Sequence, residues 1–139
     1  MSKVLVDTNI LVYAANPGEG EKHLMATQAI EGLIKNQELC VGAQNLAEFC
    51  RVMGEKTKPA KNPDEIRTWV RTFRIGGEVL HYSGGTVLSA LSISKTEGIH
   101  FYDALLVAVM REHGVDEIWT EDAKEFGKVR GLKCRNPLK

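Results

Sequence analysis

An unbroken apolar run, Val4-Leu5-Val6, stops at Asp7-Thr8-Asn9, and a second apolar run starts at Ile10. Few folds accommodate that pattern. A strand apolar at every position is covered on both faces, as in parallel sheets flanked by helices. In open sheets of that kind, ligands bind outside the carboxyl ends of the strands. Asp7 falls at such an end. It has a purely structural reading as well, because Asp is a favoured N-cap.

The remaining pattern alternates helices and strands. A short helical turn at Ile10 to Ala15 is broken by Asn16-Pro17-Gly18, and a helix is expected over Glu19 to Lys35 with Leu24, Ala29, Ile30, Leu33 and Ile34 on its apolar face. A strand follows at Leu39 to Val41, then a helix from Ala43 to about Lys56. Leu46, Phe49, Cys50 and Met53 recur on that helix at i, i+3, i+4 and i+7, which predicts one buried stripe and a small buried thiol at Cys50. Glu48 then faces away from the stripe. Pro63 starts the next helix, which carries Ile66, Trp69 and Phe73 at core spacing and stops near Gly76-Gly77. Further elements are expected at Val79 to Tyr82, Thr86 to Thr96, Phe101 to His113, Glu117 to Thr120, a helical turn from Asp122, and Leu132 to Arg135. The segment after Phe101 is apolar all round, which predicts a buried helix, with Gly114 as its C′ residue. This order predicts an α/β fold with a mainly parallel sheet. With 139 residues and no linker or repeat, a single domain over 1–139 is expected.

Lys+Arg and Asp+Glu both number 18, so gross charge predicts no nucleic-acid partner and any polyanion site must be local. Cys40, Cys50 and Cys134 have neither disulfide-framework nor zinc spacing. No signal peptide or spanning segment is legible, and a reducing, cytoplasmic setting is expected. No P-loop, G-x-G-x-x-G or Ser-His-Asp order is present.

Four acids stand at telling places: Asp7 after the first strand, Glu48 on the polar side of its helix, Asp103 opening the buried helix and Asp122 after a late strand. Gathered on one rim, they need a cation, and hard oxygen donors suit Mg²⁺ or Mn²⁺, which activate water for phosphodiester cleavage. Each also has a structural reading, as a cap, a dipole partner or a solvated group. From Arg51 to Arg74, seven basic residues stand against three acidic ones. That excess makes Arg51, Arg67 and Arg71 candidates for binding the phosphates of a polyanion, with an ordinary solvated helix pair as the alternative.

The segments VLVDTNILVY, QNLAEF, FYDALLVAVM and WTEDAKEF together resemble PIN-domain ribonucleases, in particular toxins of the VapBC type. The resemblance follows family order and covers essentially the whole chain. It implies a PIN-like three-layer α/β/α fold and Mg²⁺- or Mn²⁺-dependent endonucleolytic cleavage of RNA. It implies Asp7, Glu48, Asp103 and Asp122 as the acidic metal-binding set, with Thr8, Asn9 and Thr120 as accessory polar positions. A VapB-like antitoxin and a homodimer are implied as well. One departure is visible: the family often has Phe three residues after its last Asp, and here Phe126 is four after Asp122. Asp122 is chosen over its neighbour Glu121. The alternatives are a non-catalytic PIN-like binding module, a housekeeping RNA-processing nuclease and, lower, a phosphoacceptor domain, for which Asp7 lacks an acidic neighbour.

Overall fold

A computed structural model describes residues 2–139. The elements run β1 (Val4–Val6), α1 (Thr8–Ala15), a 3-10 turn (Pro17–Glu19), α2 (Glu21–Lys35), β2 (Leu39–Gly42), α3 (Ala43–Glu55), α4 (Pro63–Gly76), β3 (Glu78–Leu80), α5 (Gly84–Glu97), α6 (Phe101–Glu112), β4 (Glu117–Trp119), α7 (Ala123–Phe126) and β5 (Lys133–Arg135). The strands form one sheet in the order β3-β2-β1-β4-β5, with every pairing parallel. The expected α/β class and parallel sheet are what the chain forms.

The central strand explains the three layers. Successive side chains of a strand point to opposite faces. Val4 and Val6 join one core cluster with Leu39, Val41, α1 to α4 and Phe49 and Phe73, whereas Leu5 joins another with Cys40, Ile118, α5, α6 and Phe126. All three β1 residues are buried, so both faces are covered. Ala104 to Met110 of α6 are likewise all buried. Gly114 follows α6 at φ +70°, the left-handed conformation that glycine adopts without a Cβ penalty. α1 leaves β1 toward one face and α7 leaves β4 toward the other. Such a divergence at the carboxyl ends of neighbouring strands marks the usual ligand position in open sheets, and a cleft beside it is lined by α1, α3, the loop after α3 and the first turn of α6.

Two expected faces are corrected. Cys50 is exposed, and the buried line of α3 is Asn45, Phe49 and Met53, with Leu46 only half-buried. The Phe73 ring meets Phe49 edge-on at 5.3 Å and seats that line against α4. Asn45 is drawn inward by hydrogen bonds, which swings Cys50 out to solvent. On α2, Leu24 is 60% exposed and Ala26, Ile30 and Leu33 carry the packing.

Candidate active site

Asp7 is held from three sides. Its backbone N–H donates to the Trp119 carbonyl at 3.0 Å, extending the β1–β4 ladder by one residue. Its side chain caps α1: Oδ1 accepts from the Thr8 N–H at 2.8 Å and from Asn45 Nδ2 at 3.4 Å. Oδ2 accepts from the Thr120 hydroxyl at 2.8 Å. Burial pushes the Asp7 carboxyl above its usual range; the Thr120 and Thr8 hydrogen bonds oppose this, and the nearby charges of Glu48 and Asp122 reinforce it.

The Thr8 hydroxyl links Asp7 to α3. It donates to Glu48 Oε1 at 3.3 Å and accepts from Asn45 Nδ2 at 3.0 Å. Asn45 is fully buried, and its Oδ1 accepts from the Gly42 N–H at 3.0 Å, so one amide joins the end of β2, the start of α1 and the Asp7 carboxylate. Glycine at 42 follows from this contact, since a Cβ there would lie 2.8 Å from Asn45 Oδ1 and 3.3 Å from Leu106 Cδ1. Gly42→Ala is expected to displace Asn45 and cost about 1–3 kcal/mol, read as a lower urea midpoint at unchanged m-value. An unchanged midpoint would show that the amide has room to move.

Asp103 lies in the first turn of α6 and lines the same cleft as Asp7, Thr8, Asn9 and Glu48. Its carboxyl is pushed up to about 6, first by burial and then by the charges of Asp7, Asp122 and Glu125, against a smaller opposing effect of His100. Asp122 does not cap α7 with its side chain. Its backbone N–H donates to Thr120 Oγ1 at 2.9 Å, the hydroxyl that binds Asp7. The charge of Asp122 is felt at both Asp7 and Asp103.

Glu121 is engaged elsewhere. Its carboxylate accepts from the Tyr13 hydroxyl and from Lys22 Nζ, each at 2.7 Å, and its backbone N–H donates to Asn9 Oδ1 at 3.2 Å. Partial burial works to raise the Glu121 carboxyl, but the hydrogen bonds from Lys22 and Tyr13 outweigh it and leave it below its ordinary value. Among the described residues, no ion pair involves Asp7, Glu48, Asp103 or Asp122. No three His, Cys, Asp or Glu side chains among them stand close enough to form a ready-made cage. The donor set is nonetheless all hard oxygen, and its negative charge is unneutralised at Asp7 and Asp103. That chemistry fits a divalent cation of the Mg²⁺ or Mn²⁺ kind.

The basic stretch divides. Lys56 and Lys58 line the acidic cleft. Arg51, Arg67 and Arg71 do not: Arg67 pairs with Asp64 at 2.6 Å, and Arg71 borders a separate groove with Arg74 and His81. Sequence reasoning passed over Asn45, Tyr13 and Lys22. Only Asn45 left a signal, one helical turn before Glu48.

A parallel α/β sheet with acids gathered at the carboxyl ends of its strands places them where open sheets of this class bind ligands. The model of the PIN domain family matches residues 4–132, and the chain belongs to that family. A 44-residue stretch is 43% identical to ribonuclease VapC48 of Mycobacterium tuberculosis, spanning 32% of this chain and 30% of the relative's length. Among solved structures, DNA-bound VapBC from Salmonella typhimurium superposes with a TM-score of 0.69 at 20% identity, covering 99% of both chains. A toxin–antitoxin complex from Klebsiella pneumoniae gives 0.68 at 22% identity over 97% and 98%. Mycobacterium tuberculosis VapC20, a Sarcin-Ricin loop cleaving toxin, gives 0.67 at 17% identity over 90% and 94%. At these identities the likeness is one of fold.

Proposed function

We propose that this protein is a metal-dependent endoribonuclease that hydrolyses RNA phosphodiester bonds and acts as the toxin of a toxin–antitoxin pair. The observation that carries the proposal is the meeting of unpaired acids at one cleft: Asp7, Glu48 and Asp103 line it, and the charge of Asp122 reaches two of them. The names of VapC48 and VapC20 support ribonuclease activity, and the VapBC complexes support a VapB-like antitoxin as partner. A homodimer and a cytoplasmic setting belong to the same reading. No helix among the described residues is long and apolar enough to cross a membrane.

Asp7, Glu48, Asp103 and Asp122 would hold Mg²⁺ or Mn²⁺. When bound, such a cation supplies positive charge at the reacting phosphate and favours deprotonation of the attacking water. The chain's own contribution is positioning. Thr120 and the Thr8 N–H fix the two Asp7 oxygens, Asn45 fixes the Thr8 hydroxyl, and Thr8 turns Glu48 toward the cleft. Asn9 holds the backbone of the β4–α7 loop, so the accessory positions orient ligands and need not touch RNA. Purified, partner-free protein is expected to fragment a mixed RNA pool with Mg²⁺ or Mn²⁺ and not in EDTA. A folded protein that cuts nothing with any divalent cation would overturn the proposal.

The raised Asp103 carboxyl makes the stability of the metal-free fold depend on pH. Its value in the folded protein, about 6, lies above the ordinary value near 4, so the metal-free fold gains stability below about pH 4 and loses it as pH rises through 6. Asp103→Asn carries no charge to lose. In EDTA its melting temperature is expected to match wild type at low pH and to exceed it increasingly from pH 4 to 7. A constant difference across that range would show that Asp103 is not held in an uncompensated site.

A further inference from the structure

The four acids are not held alike. Asp7 is fixed by hydrogen bonds from Thr8, Asn45 and Thr120, Glu48 by the Thr8 hydroxyl, and Asp103 by its place in the first turn of a buried helix. The Asp122 side chain is exposed, does not cap α7 and joins no ion pair among the described residues, although its charge is felt at Asp7 and Asp103. Its direction therefore rests on the backbone that carries it. Thr120 anchors one end of that backbone: it is fully buried, and its N–H donates to the Arg135 carbonyl at 2.9 Å. Between Thr120 and Asp122 stands Glu121, whose carboxylate is bound at the corner between α1 and α2. The Tyr13 hydroxyl donates to Oε1 and Lys22 Nζ to Oε2, each at 2.7 Å. The corner is itself braced: Lys22 Nζ lies 5.1 Å from the centroid of the Tyr13 ring, and His23 Nδ1 donates to the Tyr13 carbonyl at 2.9 Å.

We propose that Glu121 is a positioning residue for the cation site, and that Tyr13 and Lys22 act through it to set the direction of Asp122. The inference rests on the reading above that Asp122 helps to hold the cation. Glu121 is tied at both ends, its carboxylate to Tyr13 and Lys22 and its N–H to Asn9 Oδ1 at 3.2 Å. The peptide that joins it to Asp122 is planar, so the tie carries over to the Asp122 Cα. Hydrogen bonds to a carboxylate are the strong, short kind, which suits them to hold a loop in one place. The Lys22–Glu121 pair is partly exposed, at 50% and 32% of the two side chains, so it adds little to the stability of the whole fold. Its effect is local, on the loop between β4 and α7.

Calorimetric titration of the full chain with Mn²⁺ separates positioning from charge. Removing the positive charge of Lys22 would, by charge alone, tighten cation binding. Positioning predicts the opposite sign. Lys22→Met keeps the apolar stem and is expected to weaken Mn²⁺ binding about tenfold, as loss of an outer partner of a metal ligand does. Lys22→Arg, which can still donate to Glu121, is expected to bind within about twofold of wild type. On an Asp122→Asn background, Lys22→Met is expected to change affinity by less than about twofold, because no ligand is left to direct. Its melting temperature in EDTA is expected to stay within about 3 °C of wild type. Unchanged or tighter binding by Lys22→Met, the same tenfold loss on the Asp122→Asn background, or a larger fall in melting temperature would overturn the positioning role while the cation site stands. Wild type that binds no Mn²⁺ would overturn both.

Discussion

Asp7→Asn is expected to lower RNA cleavage by at least about 100-fold, because loss of even an outer partner of a metal ligand costs on the order of 10–100-fold. The fold should survive. Asn also caps helices, and its amide oxygen can keep one of the bonds now made by Thr8 and Thr120. Burial and the charges of Glu48 and Asp122 act against ionised Asp7, so removing that charge relieves the metal-free site. Rate and stability should thus part company: activity is lost while the melting temperature in EDTA stays at or above wild type. Single-turnover cleavage and thermal unfolding of one preparation check both. A full-rate Asp7→Asn would remove Asp7 from the site.

Asn45→Ala is expected to do the reverse and damage fold and activity together. The amide is fully buried and serves Gly42, Thr8 and Asp7. Its removal strands the Gly42 N–H, for which about 1–3 kcal/mol is the usual cost. It also frees the Thr8 hydroxyl that orients Glu48, so cleavage should fall on the order of tenfold. Denaturant unfolding and metal-saturated kinetics measure the two effects. Unchanged stability would mean that the Gly42 N–H finds another acceptor. Unchanged kinetics would mean that Glu48 needs no alignment from Thr8.

The frame of this fold is legible in the chain because its signals are local. Val4 to Val6 read as a doubly covered strand, and Ala104 to Met110 read as a buried helix, from nearest neighbours alone. The face of α3 was not legible. Hydrophobic periodicity places Cys50 inward because it counts apolar side chains; the molecule buries Asn45 instead, and the partners that satisfy it come from β2 and α1. For the same reason Glu48 reads as turned away from the core, although it borders the buried line and meets Thr8. Glu121 and Asp122 are adjacent acids in the sequence, and what separates them is remote: Tyr13 and Lys22 occupy Glu121 from about a hundred residues away. The basic residues from Arg51 to Arg74 are neighbours in the chain but divide in space: Lys56 and Lys58 line the acidic cleft, and Arg71 and Arg74 border a separate groove.

The proposed site joins Asp7, Glu48, Asp103 and Asp122 around one divalent cation at the carboxyl edge of the sheet. Calorimetric titration of wild type and Asp103→Asn with Mn²⁺ at pH 7 tests it most directly. Saturable binding by wild type is expected, weakened at least about tenfold in the variant. No saturable binding by folded wild type, or equal affinity in the two proteins, would contradict it.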